Sequence, residues 1–211
     1  MNAILNRFLK QTTFQNQQDF RDNLEIIVPE HFNFGYDVID VWANEEPEKL
    51  ALLWTNDEGE CRRFTFAQLK EISDRTAAYF QSLGVGRGDM VMLILKRRCE
   101  FWFSMLALHK LGAVAIPATN QLLEKDFAYR FQAGKVKAIL CTADGDVADA
   151  VDAAAKNSPS LTTKILVNGS REGWHDFNEE YIMFSSHFNR TADTPCGNDP
   201  MLMFFTSGTS G

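Results

Sequence analysis

Between Met90 and Val167 the chain repeats one pattern: a short, almost wholly apolar run, then a turn, then a longer segment with helical spacing. The apolar runs are Met90-Val91-Met92-Leu93-Ile94-Leu95, Val114 to Pro117, Ala138 to Cys141 and Lys164 to Val167. Runs of this kind read as strands covered on both faces, since a half-exposed strand would alternate with polar residues. The segments between them read as helices. Glu100 to Leu111 is apolar nearly all round and ends at Gly112, Asp126 to Ala133 closes at Gly134, and Val147 to Lys156 ends at Ser158-Pro159. Strands alternating with helices form βαβ units, so the expected fold class is α/β, a parallel βαβ sheet covered by helices. In such sheets ligands bind beyond the carboxyl ends of the strands, which is where functional residues are sought below.

Upstream, Ile4, Leu5, Phe8 and Leu9 share one face of a helix expected over Met1 to Gln18, and Val28-Pro29-Glu30-His31 reads as an extended link. A helix is expected from Tyr36 to Ala43. Leu50 to Thr55 and Arg62 to Phe66 read as strands of a hairpin turning at Asn56-Asp57-Glu58-Gly59. Thr65 with Gln68 three residues on forms a capping box, and Leu69, Ile72, Tyr79, Phe80 and Leu83 follow at helical spacing until Gly84. Downstream of Val167 come a polar connector with Trp174, a short helix over Phe177 to Phe184, and a last strand, Met201-Leu202-Met203-Phe204-Phe205. The chain carries no internal repeat.

Composition narrows the functional classes. Of 211 residues, 45% are hydrophobic, enough for a substantial core, and the net charge is -7. That balance argues against nucleic acid as a partner, because phosphate backbones demand clustered Lys and Arg. A local phosphate site stays open, since backbone N–H groups and one or two cations suffice. Cys61, Cys99, Cys141 and Cys196 lie far apart; Cys99 and Cys141 read as small core residues in a reducing, cytoplasmic compartment. The mitochondrial matrix is the alternative, because Met1 to Gln18 holds no acidic residue. No apolar run reaches the roughly 20 residues of a membrane span. No metal ligands are expected: His31, His175 and His187 lack partners at metal spacing, and Asp144-Gly145-Asp146 reads as a solvated turn. His109 reads as a hydrogen-bonded core residue, and Phe101, Trp102 and Phe103 as core.

One motif carries sharper chemistry. The last strand empties into Thr206-Ser207-Gly208-Thr209-Ser210-Gly211. Such a loop suits a polyphosphate: glycines let backbone N–H groups approach the oxygens, and hydroxyls donate without bulk. The Walker A pattern is absent. With Asp199-Pro200 before it, this stretch resembles the AMP-binding signature of the acyl-CoA synthetase, adenylation-domain and luciferase superfamily. Phe64-Thr65-Phe66 with Gln68-Leu69, Gly84 to Asp89, and Leu106-Ala107 through Gly112-Ala113-Val114 to Pro117 resemble that family's earlier segments. Val28 to Phe34, Ala118-Thr119-Asn120-Gln121, Tyr129-Arg130-Phe131-Gln132 and the Thr-Ser-Gly-Thr-Ser-Gly loop resemble its medium-chain acyl-CoA synthetases. Asp144-Gly145-Asp146 lacks the arginines that acetyl-CoA synthetases carry after the matching strand, which weighs against that branch.

The resemblance implies the large-domain fold of those enzymes and a reaction in two steps. ATP and a carboxylate give an acyl-adenylate and pyrophosphate, and coenzyme A then takes the acyl group. Thr206, Ser207, Thr209 and Ser210 would donate hydroxyls to the ATP phosphates, Gly208 and Gly211 backbone N–H groups, with Mg2+ sharing the charge. Gln121 would lie near coenzyme A. The implied organisation is a helical segment over 1–27 and a partial N-terminal AMP-binding domain over 28–211, ending inside the phosphate loop, with the catalytic residues beyond Gly211. A piece of this kind is expected to be inactive alone. A ligase acting on aryl or amino acids, and a structural subdomain without chemistry, remain alternatives. Self-association into a homo-oligomer through an open sheet edge and apolar surface is expected.

Overall fold

A computed structural model describes residues 4–206. Five strands form one parallel sheet: β3 (Met90–Ile94), β4 (Val114–Pro117), β5 (Ala138–Thr142), β6 (Thr163–Val167) and β7 (His175–Asp176), in the order β4-β3-β5-β6-β7. The four apolar runs therefore form the body of the sheet. The fifth strand was not anticipated. Its two polar residues pair with Ile165 and Leu166 at the sheet margin, where one ladder and no apolar cover are required.

Helices α4 (Phe66–Ser82), α5 (Glu100–Leu111) and α8 (Phe177–Glu180) cover one face, and α6 (Glu124–Ala133) and α7 (Val147–Ala155) the other. Side chains alternate across a strand, so β3 sends Val91 and Leu93 to Tyr79, Phe80, Leu108 and Phe177, and Met92 and Ile94 to Phe127, Phe131 and Val151. All of these are nearly inaccessible to solvent, and each full burial contributes about 1.5–3 kcal/mol. Thr65 caps α4 as expected, accepting from Gln68 N while Gln68 Oε1 accepts from Thr65 N. Helix α6 starts two residues earlier than its apolar spacing implied, because Asp126 Oδ2 accepts from Leu123 N at 3.0 Å. Gly112 ends α5 at φ 75°, and a Cβ there would lie 2.6 Å from the Pro195 ring, so both backbone and neighbour require glycine.

The hairpin of β1 (Leu50–Thr55) and β2 (Cys61–Thr65) packs Leu52, Trp54 and Phe64 onto Leu69, Phe103 and Leu106. Before it, a π-helical turn at Gly35–Ile39 runs into α3 (Asp40–Glu45), in place of one regular helix. The long N-terminal helix is a correction. The described residues hold only α1 (Leu5–Phe8) and α2 (Gln17–Asn23), because Leu9 turns extended to bridge Ile26 and Asn16 starts α2 by accepting from Asp19 N. Trp102 is a second correction: it is 51% exposed, on the outer side of α5, while Phe103 is buried. The expected helix over Phe177 to Phe184 is the one turn of α8 followed by a 3-10 turn, Tyr181–Met183.

A network of four charges locks α3, α4 and α5 together. Lys110 Nζ reaches Asp40 Oδ1 at 2.8 Å and Asp74 Oδ1 at 2.6 Å, and Lys70 Nζ reaches Asp74 Oδ2 at 2.6 Å. The Lys110 side chain is 0% exposed. Burial pushes the Asp40 carboxyl above its ordinary range, and Lys110 draws it back only in part. Among the described residues no helix is long and apolar enough to cross a membrane.

Candidate functional site

The carboxyl ends of the four main strands open onto one edge. β3 continues into Leu95 to Cys99, β4 into Ala118 to Leu122, β5 into Ala143 to Asp146 and β6 into Asn168. The segment that leads to the Ser/Thr/Gly loop reaches the same edge. Ala115 N donates to Met201 O at 3.1 Å and Met203 N donates to Ala115 O at 3.0 Å, so this segment runs parallel to β4. Thr206 follows in the same direction and is exposed. Ser207, Gly208, Thr209, Ser210 and Gly211 lie outside the described residues.

The last strand, expected over Met201 to Phe205, is a single bridge at Leu202. Its side chains still alternate. Met203 and Phe205 turn inward to α6, while Leu202 and Phe204 are exposed and no second strand pairs with them among the described residues. Gly134 makes this docking close: a Cβ there would lie 2.8 Å from Met203 Cε. The Arg130 guanidinium stands 5.3 Å from the Phe205 ring centroid, and Tyr129 packs edge-on at 6.1 Å.

Between this edge and the hairpin lies an open cleft of about 840 Å³. Asp57, Glu58 and Glu60 line its hairpin side and Lys96, Arg97 and Arg98 its sheet side, with Asn120 and Asn168 at the ends of β4 and β6. Lys96 at φ 50° and Asn168 at φ 58° hold left-handed backbone, a conformation that collects at ligand-binding turns. Arg98 is a clasp across the edge: Nη2 donates to Asp144 Oδ2 at 2.8 Å and Nε to Thr142 Oγ1 at 3.2 Å. Burial raises the Asp144 carboxyl, but the hydrogen bonds from Arg98 and Thr142 outweigh it and hold the group below its ordinary value. Asp144 is thus ion-paired, not merely solvated. Trp54 Nε1 donates to Arg97 O and pins the hairpin to the same loop. The Arg97 guanidinium has no ion pair among the described residues, which leaves a cation available at the edge.

Gln121 sits exposed in the connection after β4, beside Asn120, with its N–H directed to Thr119 Oγ1 at 3.3 Å. The structure therefore brings Thr206 and Gln121 to the same edge of the sheet. Sequence reasoning missed Lys96-Arg97-Arg98, although three cations directly after a buried strand in an acidic chain are a readable signal. His109 is buried as expected, at 8% exposure, but the hydrogen bond expected of it is absent: neither ring nitrogen has a partner. Burial lowers its pKa to about 4, so the imidazole is neutral. Cys99 and Cys141 are core residues, their thiols raised by burial to about 11 and about 12. Among the described residues no three His, Cys, Asp or Glu converge as a metal site.

The AMP-binding enzyme family model matches residues 39–211. The chain is 37% identical over 214 aligned positions to acyl-coenzyme A synthetase ACSM3, mitochondrial, of Homo sapiens, covering 98% of this chain and 36% of that protein. It is 39% identical over 191 positions to acyl-coenzyme A synthetase ACSM5, mitochondrial, of Rattus norvegicus, covering 87% and 32%. It thus spans about a third of the length of the curated relatives it matches. Among solved structures, the anthranilate CoA ligase AuaEII in complex with anthranoyl-AMP superposes with a TM-score of 0.74 at 19% identity, covering 87% of this chain and 34% of that one. Brucella canis acyl-CoA synthetase does so at 0.72 and 22%, covering 85% and 32%. At that identity the two structures establish the shared fold, a parallel sheet covered by helices. With the family match over most of its length, the chain belongs to the AMP-binding enzymes.

Proposed function

We propose that the protein takes part in ATP-dependent activation of a medium-chain fatty acid, as an AMP-forming acid–thiol ligase that passes the acyl group from an adenylate to coenzyme A. The observation that carries this reading is the parallel course of Met201 to Met203 beside β4. It brings Thr206 to the carboxyl edge of the sheet, where a polyphosphate can be held. In this reading Thr206, Ser207, Thr209 and Ser210 offer hydroxyls and Gly208 and Gly211 backbone N–H groups to ATP. Magnesium shares the phosphate charge, and Gln121 lies beside the path of coenzyme A. Residues 28–211 act as part of an N-terminal AMP-binding domain, preceded by the segment 1–27, whose described part holds the two short helices α1 and α2.

Relatives whose names read acyl-coenzyme A synthetase, mitochondrial, support an acyl substrate joined to coenzyme A and favour the mitochondrial over the cytoplasmic compartment. The exposed apolar rim of Met201, Leu202 and Phe204 supports self-association. Light scattering coupled to size exclusion reads that directly, and a strict monomer removes it. The activity is tested by coenzyme A-dependent AMP release from the complete enzyme with carboxylates from acetate to laurate, benzoate and amino acids. A maximum at intermediate chain lengths is expected. A maximum with aryl or amino acids overturns the acyl assignment, and no AMP with any acid overturns the function.

A further inference from the structure

At the amino end of β4, where Gly112 and Ala113 lead into the strand, a pocket of about 160 Å³ is walled by Phe32, Phe34, Pro195, Pro200 and Met201, with His109 among them. We propose that it binds a small neutral amphiphile, one ring in size and carrying one hydroxyl donor, phenol being the simplest member. The volume fits: an apolar cavity of about 150 Å³ accepts one benzene ring.

The polar inventory sets the chemistry. Asn33 Nδ2 is committed to His109 O at 2.9 Å and Pro195 O at 3.1 Å. Asp199 is held by Arg87 at 2.7 and 2.8 Å and accepts from Cys196 N at 2.8 Å, so this ion pair closes on itself. An ionic ligand would find no counter-charge. Apart from the weakly polar Cys196 thiol, His109 is then the polar side chain of the described lining left without a partner. A neutral imidazole presents one acceptor nitrogen, which matches one donor on a ligand.

Entry is through Phe34. This residue is 39% exposed, and its ring stands edge-on to the imidazole, with centroids 6.1 Å apart and planes at 89°. Both His109 ring nitrogens are closed off in this structure, so a ligand reaches them when a wall side chain moves, and Phe34 is the exposed ring in contact with the imidazole. Pro200 and Met201 begin the segment that runs beside β4 to Thr206, so the occupant touches the root of the phosphate-loop strand.

The test is a protein-observed NMR titration of the purified protein with phenol and, separately, with benzene. Both are expected to bind saturably, phenol about tenfold more tightly, the ratio that one neutral hydrogen bond supplies. His109→Leu should bind the two alike. Gly197→Leu should bind neither: a Cβ there meets nothing nearer than Val28 Cγ1 at 3.9 Å, so the substitution is tolerated and its side chain fills the pocket. No saturable binding of phenol, equal wild-type affinities, discrimination surviving in His109→Leu, or binding unchanged in Gly197→Leu each overturn the proposal.

Discussion

Replacing Lys110 by Met removes the cation at the centre of a buried, charge-balanced cluster. Lys70 and Lys110 face Asp40 and Asp74, and the substitution leaves two carboxylates with one partly exposed lysine. Each of the two contacts Lys110 makes is shorter than 3 Å, worth roughly 6 kcal/mol in gross attraction at an effective dielectric of about 20. Most of that is offset by the desolvation of three buried charges, and stranding the partners leaves a net loss of about 3–5 kcal/mol. The sign of the pH dependence follows from Asp40. Its carboxyl is already raised by burial, and losing Lys110 raises it further. A carboxyl with a raised native pKa takes up its proton in the folded state first, so its penalty is smallest at low pH and grows as pH rises through that pKa. Urea denaturation should therefore show a larger deficit at pH 8 than at pH 5. The double variant Lys110→Met with Asp40→Asn should recover part of it, since one orphaned charge is gone. If Lys110→Met lies within about 1 kcal/mol of wild type at pH 8, or if the double variant is less stable than the single, the cluster does not work as described.

Other consequences are open to similar measurements. Gly112→Ala should destabilise by about 3 kcal/mol in thermal or chemical unfolding, combining left-handed backbone strain with overlap against the fixed Pro195 ring. His109, lowered to about 4 in the fold, contributes stability present above its ordinary 6.5 and lost as pH falls through 4. The full loss is about 3 kcal/mol, and His109→Leu should remove that component from a comparison of unfolding at pH 7 and pH 4. Arg98→Ala should cost only about 1 kcal/mol of global stability, because Asp144 is half exposed. Hydrogen exchange should nevertheless quicken in the loops after β3 and β5, which that residue clasps; unchanged exchange there would contradict the role.

The βαβ body was legible because its signals are local. Four apolar runs became β3 to β6, Thr65 and Gln68 capped α4, and Gly112 ended α5 in the left-handed conformation, each within a few residues of its cause. The misses have the opposite character. Leu9 left its helical pattern for a bridge to Ile26, Trp102 faced outward from a helix apolar nearly all round, and β7 formed from two polar residues because an edge was available. The segment over Met201 to Phe205 kept its alternation but met one partner only, at Ala115.

The candidate site divides in the same way. Sequence alone determined the family and the βαβ class, since signature residues and apolar periodicity are properties of the chain itself. Tertiary structure decided what stands around that edge: the hairpin carboxylates opposite Lys96, Arg97 and Arg98, the clasp from Arg98 to Asp144, and Lys110 bound to carboxylates 70 and 36 residues away. No spacing rule pairs residues so far apart. Their partners are chosen when buried charges must be neutralised wherever packing has placed them.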